Sequence, residues 1–215
     1  MGGGKVKSMS TPPAALTIRP ATADDAMALA GIVNNLIKIG GTTAHITPFK
    51  AERLRDHYIT LPLGISCRVA ERNTQVLGFQ ALEWADPNWQ GAGKLPSGGA
   101  IIATIVAACH SRQGIGAALF CAIRLVAQNA GVTSIDATIR ADNCGGLRYY
   151  AGIGFTEYQR ISAMVLSNGC YVDRICTAFA LQTPCLHRDR VMALYPSTQI
   201  QIRPAIPRYC KMQRE

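Results

Sequence analysis

A glycine-rich turn lies between an apolar segment and an amphipathic one, and its residues are of types that bind phosphate. The residues of this turn are Ser111, Arg112, Gln113, Gly114, Ile115, Gly116 and Ala117. The two glycines remove side chains where the backbone N–H groups of the following helix point outward. Free amides at the positive end of a helix dipole bind anions, and Arg112 adds a cation beside them. The turn alone therefore predicts either a pyrophosphate site or an ordinary connection between a strand and a helix.

Two other phosphate-binding motifs do not match this turn. A dinucleotide-binding loop needs a third glycine, but position 119 is Leu119, and such a loop follows the first strand rather than the fourth. A Walker loop ends in Gly-Lys-Ser/Thr, which this turn lacks. The pattern therefore favours neither a dinucleotide nor a nucleoside triphosphate.

A second segment places an amide and a phenol directly after a predicted strand. Asn143 can cap a short helix, Tyr150 lies two turns further on, and Gly154-Phe155 enters the next strand. A tyrosine in this position is either a core residue with a bonded hydroxyl or a proton donor. The spacing on its own leaves both interpretations open.

Together the two segments resemble the GNAT superfamily of N-acetyltransferases. The glycine turn is similar to its acyl-CoA motif, Arg/Gln-x-x-Gly-x-Gly/Ala. Residues 143–155 are similar to its Asn-x-x-Ala-x-x-x-Tyr-x-x-x-Gly-Phe segment, and the opening residues 16–25 look like its first strand and helix. The resemblance covers about residues 15–181 and is strongest to the small-amine group that includes phosphinothricin and methionine-sulfoximine acetyltransferases.

The resemblance implies an enzyme that moves an acetyl group from acetyl-CoA to the primary amine of a small molecule, such as an amino acid or an analogue. The amine would attack the thioester directly, with no acyl-enzyme. The glycine turn would bind acetyl-CoA together with Ile105 and Val106, whose backbone would pair with pantetheine, and with Asn143. Tyr150 would complete that site and protonate the departing thiolate as general acid.

The sequence departs from the family pattern at three places. Ser111 stands where the motif has Arg or Gln, and Gly146 replaces its Ala. Relatives often carry an acidic residue near the start of the central strand, where this chain has Ala100 and Ile101. The usual general base is therefore missing.

Three candidates remain for the base, and the loops indicate an acceptor site. Glu83 at the end of the third predicted strand is the first candidate, His45 is the second, and water is the third. We expect the acceptor amine near Thr42, Thr43, His45 and Trp84, because loops on a rigid sheet are where substrate contacts gather.

The hydrophobic pattern and the resemblance predict an α/β (α+β) fold with a mixed, mostly antiparallel central sheet of about seven strands flanked by helices. The predicted order is β-α-α-β-β-β-α-β-α-β-β. The predicted segments are 16–19, 23–37, 51–60, 65–71, 75–84, 99–107, 115–130, 132–140, 143–151, 154–161 and 170–180. The predicted domains are a disordered leader (1–14), the acetyltransferase domain (15–181) and a basic, poorly ordered extension (182–215).

The distribution of charge and the spacing of the cysteines limit the classes of partner that we expect. The net charge is +9, but residues 182–215 hold six Lys/Arg and two Asp/Glu, so much of the excess lies in a tail and argues against nucleic-acid binding. No apolar run approaches the ~20 residues of a membrane helix, and no signal peptide is evident. The eight cysteines include no Cys-x-x-Cys pair, so no metal site is predicted. We expect a cytoplasmic protein with reduced thiols, and a homodimer is a further expectation.

Other functions fit the same residues. The missing acid and Ser111 would suit a non-catalytic acyl-CoA-binding regulatory module. An acetyltransferase of this kind could instead act on an aminoglycoside, a polyamine or a protein amine. The basic tail leaves a nucleic-acid-associated role open.

Overall fold

The computed structural model describes residues 14–91, 93–165 and 169–181, without the side chains of Met164 and Val165. The predicted leader, apart from its last residue, and the predicted extension lie outside these ranges. The strands are Thr17–Pro20 (β1), Gly64–Arg72 (β2), Gln75–Trp84 (β3), Gly99–Val106 (β4), Ser134–Arg140 (β5), Thr156–Val165 (β6) and Tyr171–Ala180 (β7). The α-helices are Ala26–Ile39 (α1), Ala51–Leu54 (α2), Ile115–Asn129 (α3) and Cys144–Gly152 (α4).

The seven strands form one sheet in the order β1-β2-β3-β4-β5-β7-β6. Every neighbouring pair is antiparallel except β4 and β5, which are parallel. The helix α3 connects those two strands, as a crossover between parallel strands requires. The predicted mixed, mostly antiparallel sheet is confirmed.

The central strands β4 and β5 pair over a short distance and then separate. β4 pairs with β3 along its length, from Ala100 opposite Trp84 to Val106 opposite Gly78. Its pairing with β5 stops at Ile101, opposite Asp136. Residues 102–106 of β4 therefore have no neighbouring strand on that side, so the sheet has an opening at its centre.

Two cores lie on the two faces of the sheet. On one face, α3 and α4 cover β4 and β5 through Phe120, Ile123, Ile135 and Tyr150. On the other face, α1 and the segment after it cover β2 and β3; the buried side chains there include Leu29, Val33, Phe49, Leu54, Tyr58 and Phe79. Because strand side chains alternate between faces, neighbouring residues of β3 and β4 belong to different cores.

The helical segments before and after the 40–50 loop differ in detail from their predictions. The first begins as a 3₁₀ turn, Ala23–Asp25, because the Asp25 carboxylate accepts hydrogen bonds from the Thr22 N–H (2.8 Å) and from Arg19 (2.7 and 2.8 Å). This Arg19 guanidinium also holds the pKa of Asp25 below its usual range. The second helix widens after Leu54 into a π-helical turn, Arg55–Ile59. That turn brings Tyr58 onto the sheet.

Among the residues that the structure describes, no helix has both the length and the apolar character needed to cross a membrane.

Candidate functional site

The glycine turn presents a row of free backbone amides at the end of β4. Arg112 (φ 61°) and Gly114 (φ 77°) both adopt left-handed backbone conformations before α3 begins. Within the described part of the chain, the N–H groups of residues 112–117 donate no hydrogen bond, and helix bonding starts from Ala118 to the Gly114 carbonyl. A Cβ on Gly114 would meet no atom within 4 Å. The turn is thus an open concavity of N–H donors, suited to an anion.

Gly116 has a second role that sequence analysis missed. A Cβ at Gly116 would lie 2.8 Å from Cε2 of Tyr149, so only glycine lets that ring pack here without displacement. The Tyr149 hydroxyl donates a hydrogen bond to the Gly116 carbonyl (2.8 Å). Tyr149 therefore ties α4 to the first turn of α3.

The predicted proton donor lies beside the opening in the sheet. Tyr150 is 6% exposed, and its hydroxyl is 2.8 Å from Oγ1 of Thr104. Thr104 belongs to the part of β4 that is no longer paired with β5. Burial raises the pKa of Tyr150, and the hydrogen bond with Thr104 opposes that rise. The phenol is consequently protonated at neutral pH.

A buried amide completes a chain of polar groups at this position. Gln80 on β3 is 0% exposed and donates from Nε2 to Thr104 Oγ1 (2.6 Å) and to the Tyr149 oxygen (3.3 Å). Its Oε1 is buried with no partner among the described residues. The sequence did carry a signal, since Gln80 is a lone polar residue in the apolar run 76–82.

Two carboxylates flank the position where relatives carry an acid. Ile101 lies opposite Glu83 of β3 on one side and opposite Asp136 of β5 on the other. Burial raises the pKa of both carboxyls. Asp136 accepts hydrogen bonds from Tyr158 (2.7 Å) and Thr138 (3.0 Å), which oppose the rise. Sequence analysis singled out Glu83 and missed Asp136, the one acidic residue of β5.

The loop between α1 and α2 packs on the end of β5. The carbonyl of Thr42 accepts from Asn143 Nδ2 (3.0 Å), and that of Thr43 accepts from Arg140 (3.3 Å). Asn143 also caps α4, its Oδ1 accepting from the Gly146 N–H (2.8 Å). Both polar atoms of the Asn143 side chain are thus engaged in holding structure, so its part in acyl-CoA binding stays a prediction.

His45 belongs to this loop, and its side chain lies in an aromatic environment. Its Nε2 is 2.8 Å from the Tyr58 hydroxyl, and its ring contacts Phe49 and His57 edge-on. Burial, and then the neighbouring positive charges, lower the pKa of His45 to about 4. The imidazole is therefore neutral at pH 7.

The predicted acceptor residues do not all lie together. Thr43, His45 and Arg140 line a cavity of about 390 Å³ between the 40–46 loop and the end of β5. Trp84 instead lines a separate cavity of about 440 Å³ beside the 94–99 loop and packs against the core under α3. The structure thus brings Thr43 close to His45 and leaves Trp84 apart from both.

The remaining residues that were predicted to bind acetyl-CoA follow one another along the end of β4 and the glycine turn. Ile105 and Val106 form the end of β4 at the opening in the sheet and lead into the glycine turn. Ser111 and Arg112 are exposed on the turn, and Gln113 accepts a hydrogen bond from Arg72 (3.3 Å). The backbone groups at the opening and those of the turn together form a continuous surface along which an extended ligand could bind.

Solved structures with this fold are described as acetyltransferases. A protein from Salmonella typhimurium, proposed to be an acetyltransferase and solved with its cofactor acetyl-CoA, is 21% identical over 78% of this chain and 95% of that chain, with a TM-score of 0.65. A GCN5-related N-acetyltransferase from Kribbella flavida is 22% identical over 78% and 98%, with a TM-score of 0.63. A proposed phosphinothricin N-acetyltransferase is 21% identical over 78% and 99%, with a TM-score of 0.65.

No protein-family model matches the sequence, and no curated protein matches it either. At identities of 21–22%, the likeness to the three solved structures shows the fold.

Proposed function

Because the chain has the fold of the GCN5-related N-acetyltransferases, we propose that it is an acetyl-CoA-dependent N-acetyltransferase. The acceptor is the primary amine of a small molecule, an amino acid or an analogue of one. The observation that carries the proposal is the opening between β4 and β5. It leads at one end to free amides and has a buried tyrosine hydroxyl at its side.

The residues present fit an acyl-CoA. The pyrophosphate needs donors without side chains in the way, and the N–H groups of residues 112–117 meet this need. Pantetheine carries amides that require backbone partners, and residues 102–106 of β4 lack a strand on one side. Ile105 and Val106 are the residues that would pair with it. Ser111 keeps the backbone of the turn and provides no long side chain, so we expect binding through main-chain groups.

Acetyl-CoA supplies an activated thioester whose acetyl group can be transferred. The acceptor nitrogen forms the new N–C bond as the C–S bond breaks. The nitrogen loses a proton to Glu83, the half-buried carboxylate beside Ile101. Tyr150 donates its hydroxyl proton to the departing sulfur, since its raised pKa keeps that proton available. The two groups lie on opposite faces of the sheet, since Glu83 follows Leu82, which faces the core that contains Tyr150.

The acceptor lies on the face that carries Glu83 and Asp136. The cavity beside His45 opens on this face next to Thr42 and Thr43, and Arg140 lines it. Two carboxylates near Ile101 favour an ammonium group, because opposite charges attract strongly where water is scarce. Trp84 lines the separate cavity on the other face of the sheet. Any contact of Trp84 with the acceptor would therefore be made through that cavity.

We place the protein in the cytoplasm, where acetyl-CoA is made and thiols stay reduced. A homodimer stays a prediction.

The test is thiol release from acetyl-CoA with a panel of amines. The panel contains amino acids, methionine sulfoximine, phosphinothricin, polyamines, aminoglycosides and a lysine peptide. We expect release with at least one amino acid or analogue, with the acetylated amine identified by mass spectrometry. Binding of acetyl-CoA without transfer to any amine would favour a regulatory acyl-CoA-binding module instead, and no binding at all would overturn the proposal.

A further inference from the structure

The buried polar groups around Tyr150 form a hydrogen-bonded chain whose first links have a fixed direction. At its start, the Gly116 carbonyl can only accept, so the Tyr149 hydroxyl spends its proton there (2.8 Å). The Tyr149 oxygen can then act only as an acceptor toward Gln80, 3.3 Å away. The group of Gln80 that faces Tyr149 must therefore be its NH₂.

The same NH₂ also contacts the next hydroxyl. Gln80 Nε2 donates to Thr104 Oγ1 at 2.6 Å, which fills one of the two acceptor positions of that oxygen. Thr104 Oγ1 and the Tyr150 oxygen are 2.8 Å apart, and either hydroxyl can donate the hydrogen bond between them. When Thr104 donates, the proton of Tyr150 is not used in this bond and can point out of the chain.

We infer that Gln80 and Thr104 are positioning residues that keep the Tyr150 proton directed at the substrate side. The Thr104 hydroxyl also donates to the phenolate that forms once Tyr150 has given up its proton. This inference rests on the proposed function, because it assigns the chain a role in the proton transfer to sulfur.

The burial of Gln80 with an oxygen that is unpartnered in the described part of the chain destabilises the folded protein, and this supports a functional reason for keeping a glutamine here. Gln80 is 0% exposed, and its Oε1 has no partner among the described residues. A buried acceptor without a hydrogen bond is destabilising. An apolar side chain at position 80 would avoid that cost, as Leu82 does two residues later on the same face.

Four substitutions separate this role from packing. Thr104→Val keeps the shape and removes the hydroxyl, and we expect a kcat lower on the order of 10²–10³-fold, as for the loss of one donor to a developing oxyanion. The dissociation constant of acetyl-CoA should not change. Thr104→Ser should restore kcat. Gln80→Glu should lower kcat, because a carboxylate would accept the Thr104 proton and Thr104 would then accept from Tyr150; Gln80→Leu should lower it less.

The matched control is Thr177→Val, which also removes a buried strand hydroxyl, one that donates to the Ala137 carbonyl (2.9 Å). Its kcat should equal that of the parent. If Tyr150→Phe is inactive but Thr104→Val keeps the parental kcat, the positioning role is overturned and the proposed function stands. If the parent shows no turnover with any amine, the positioning role fails together with the proposed function. If Tyr150→Phe keeps the parental turnover, the positioning role and the general-acid role of Tyr150 fail, and the acetyltransferase activity stands.

Discussion

At the scale of single residues, Tyr150 carries the most specific expectation. Replacing it by Phe removes the proton donor and leaves the ring in place against Phe155. We expect turnover to fall about 10²–10⁴-fold, the usual contribution of general acid catalysis, with the affinity for acetyl-CoA unchanged. Steady-state kinetics and calorimetry measure the two effects.

The control for that change is Tyr171→Phe, at an exposed position on β7 (71% exposed). It should behave as the parent in both measurements. Equal turnover for Tyr150→Phe and the parent would make Tyr150 a core residue only.

Glu83 is a residue whose charge state should appear in the pH profile. A base must be deprotonated, and burial raises the pKa of Glu83. As the pH falls, activity should therefore be lost with a midpoint that lies above the ordinary glutamate pKa of about 4.3. Glu83→Gln should remove this acidic limb and lower kcat/KM about 10²-fold or more.

Stability separates a loss of the base from a loss of fold in this variant. Among the described residues Glu83 has no ion pair, so Glu83→Gln should melt no lower than the parent. Glu157→Gln, on an exposed position of β6, is the control for activity. If Glu83→Gln keeps the full rate and the acidic limb, Asp136, next to Ile101 on the other side, becomes the first candidate for the base.

At the scale of elements, the junction of the glycine turn with α3 depends on Gly116. Valine there would stand beside amides meant for an anion and would collide with Tyr149, 2.8 Å from the new Cβ. We expect Gly116→Val to lose at least about tenfold in acetyl-CoA affinity and also to lower the melting temperature, since overpacking is destabilising. Gly152→Ala in α4, where a Cβ meets nothing within 4 Å, is the control.

Calorimetric titration and thermal melts report on these two consequences separately. A folded Gly116→Val variant with parental affinity for acetyl-CoA would show that the turn does not bind it. From the sequence alone, Gly116 looks free to change without harm to the fold. The close approach of Tyr149 became visible only when α3 and α4 were placed together.

Most elements could be predicted because each has a strong local pattern. The apolar run of β4 and the amphipathic period of α3 set their ends to within one residue of the structure. The second helix was predicted as regular over 51–60, and its π-helical turn after Leu54 has no local signal. No local pattern predicts the separation of β4 from β5, because the register of strands far apart in sequence depends on the packing of whole helices between them. Only the family resemblance implied it, through the backbone of Ile105 and Val106 that was expected to pair with pantetheine.

The site residues could be predicted where they belong to one continuous segment of sequence. They could not be predicted where the pairing of several strands brings them together. The glycine turn and Tyr150 belong to two continuous motifs. Gln80, Thr104 and Asp136 come together only through the pairing of β3, β4 and β5. Gln80 and Thr104 each look like an isolated polar residue in an apolar stretch, and Asp136 is one of several polar residues in β5. The sequence offers no reason to join the three.

At the scale of the whole molecule, residues 14–181 hold a complete sheet with both faces of its centre covered. We therefore expect deletion of residues 182–215 to leave the fold and the acetyl-CoA site in place. Thermal melts of the shortened protein, with and without acetyl-CoA, test this, since a ligand that binds the folded state raises its melting temperature. Aggregation, or the loss of that rise, would show that the tail belongs to the working structure.

The opening between β4 and β5 also determines where the backbone is easiest to reach by solvent. The amides of residues 102–106 that face away from β3 have no strand to protect them, whereas β3 is bonded on both sides. Hydrogen–deuterium exchange should be fast in that stretch of an otherwise protected sheet. If acetyl-CoA takes the place of the absent strand, its addition should slow exchange there first. Exchange at the centre of the sheet would then report the binding of acetyl-CoA without any need for an acceptor amine.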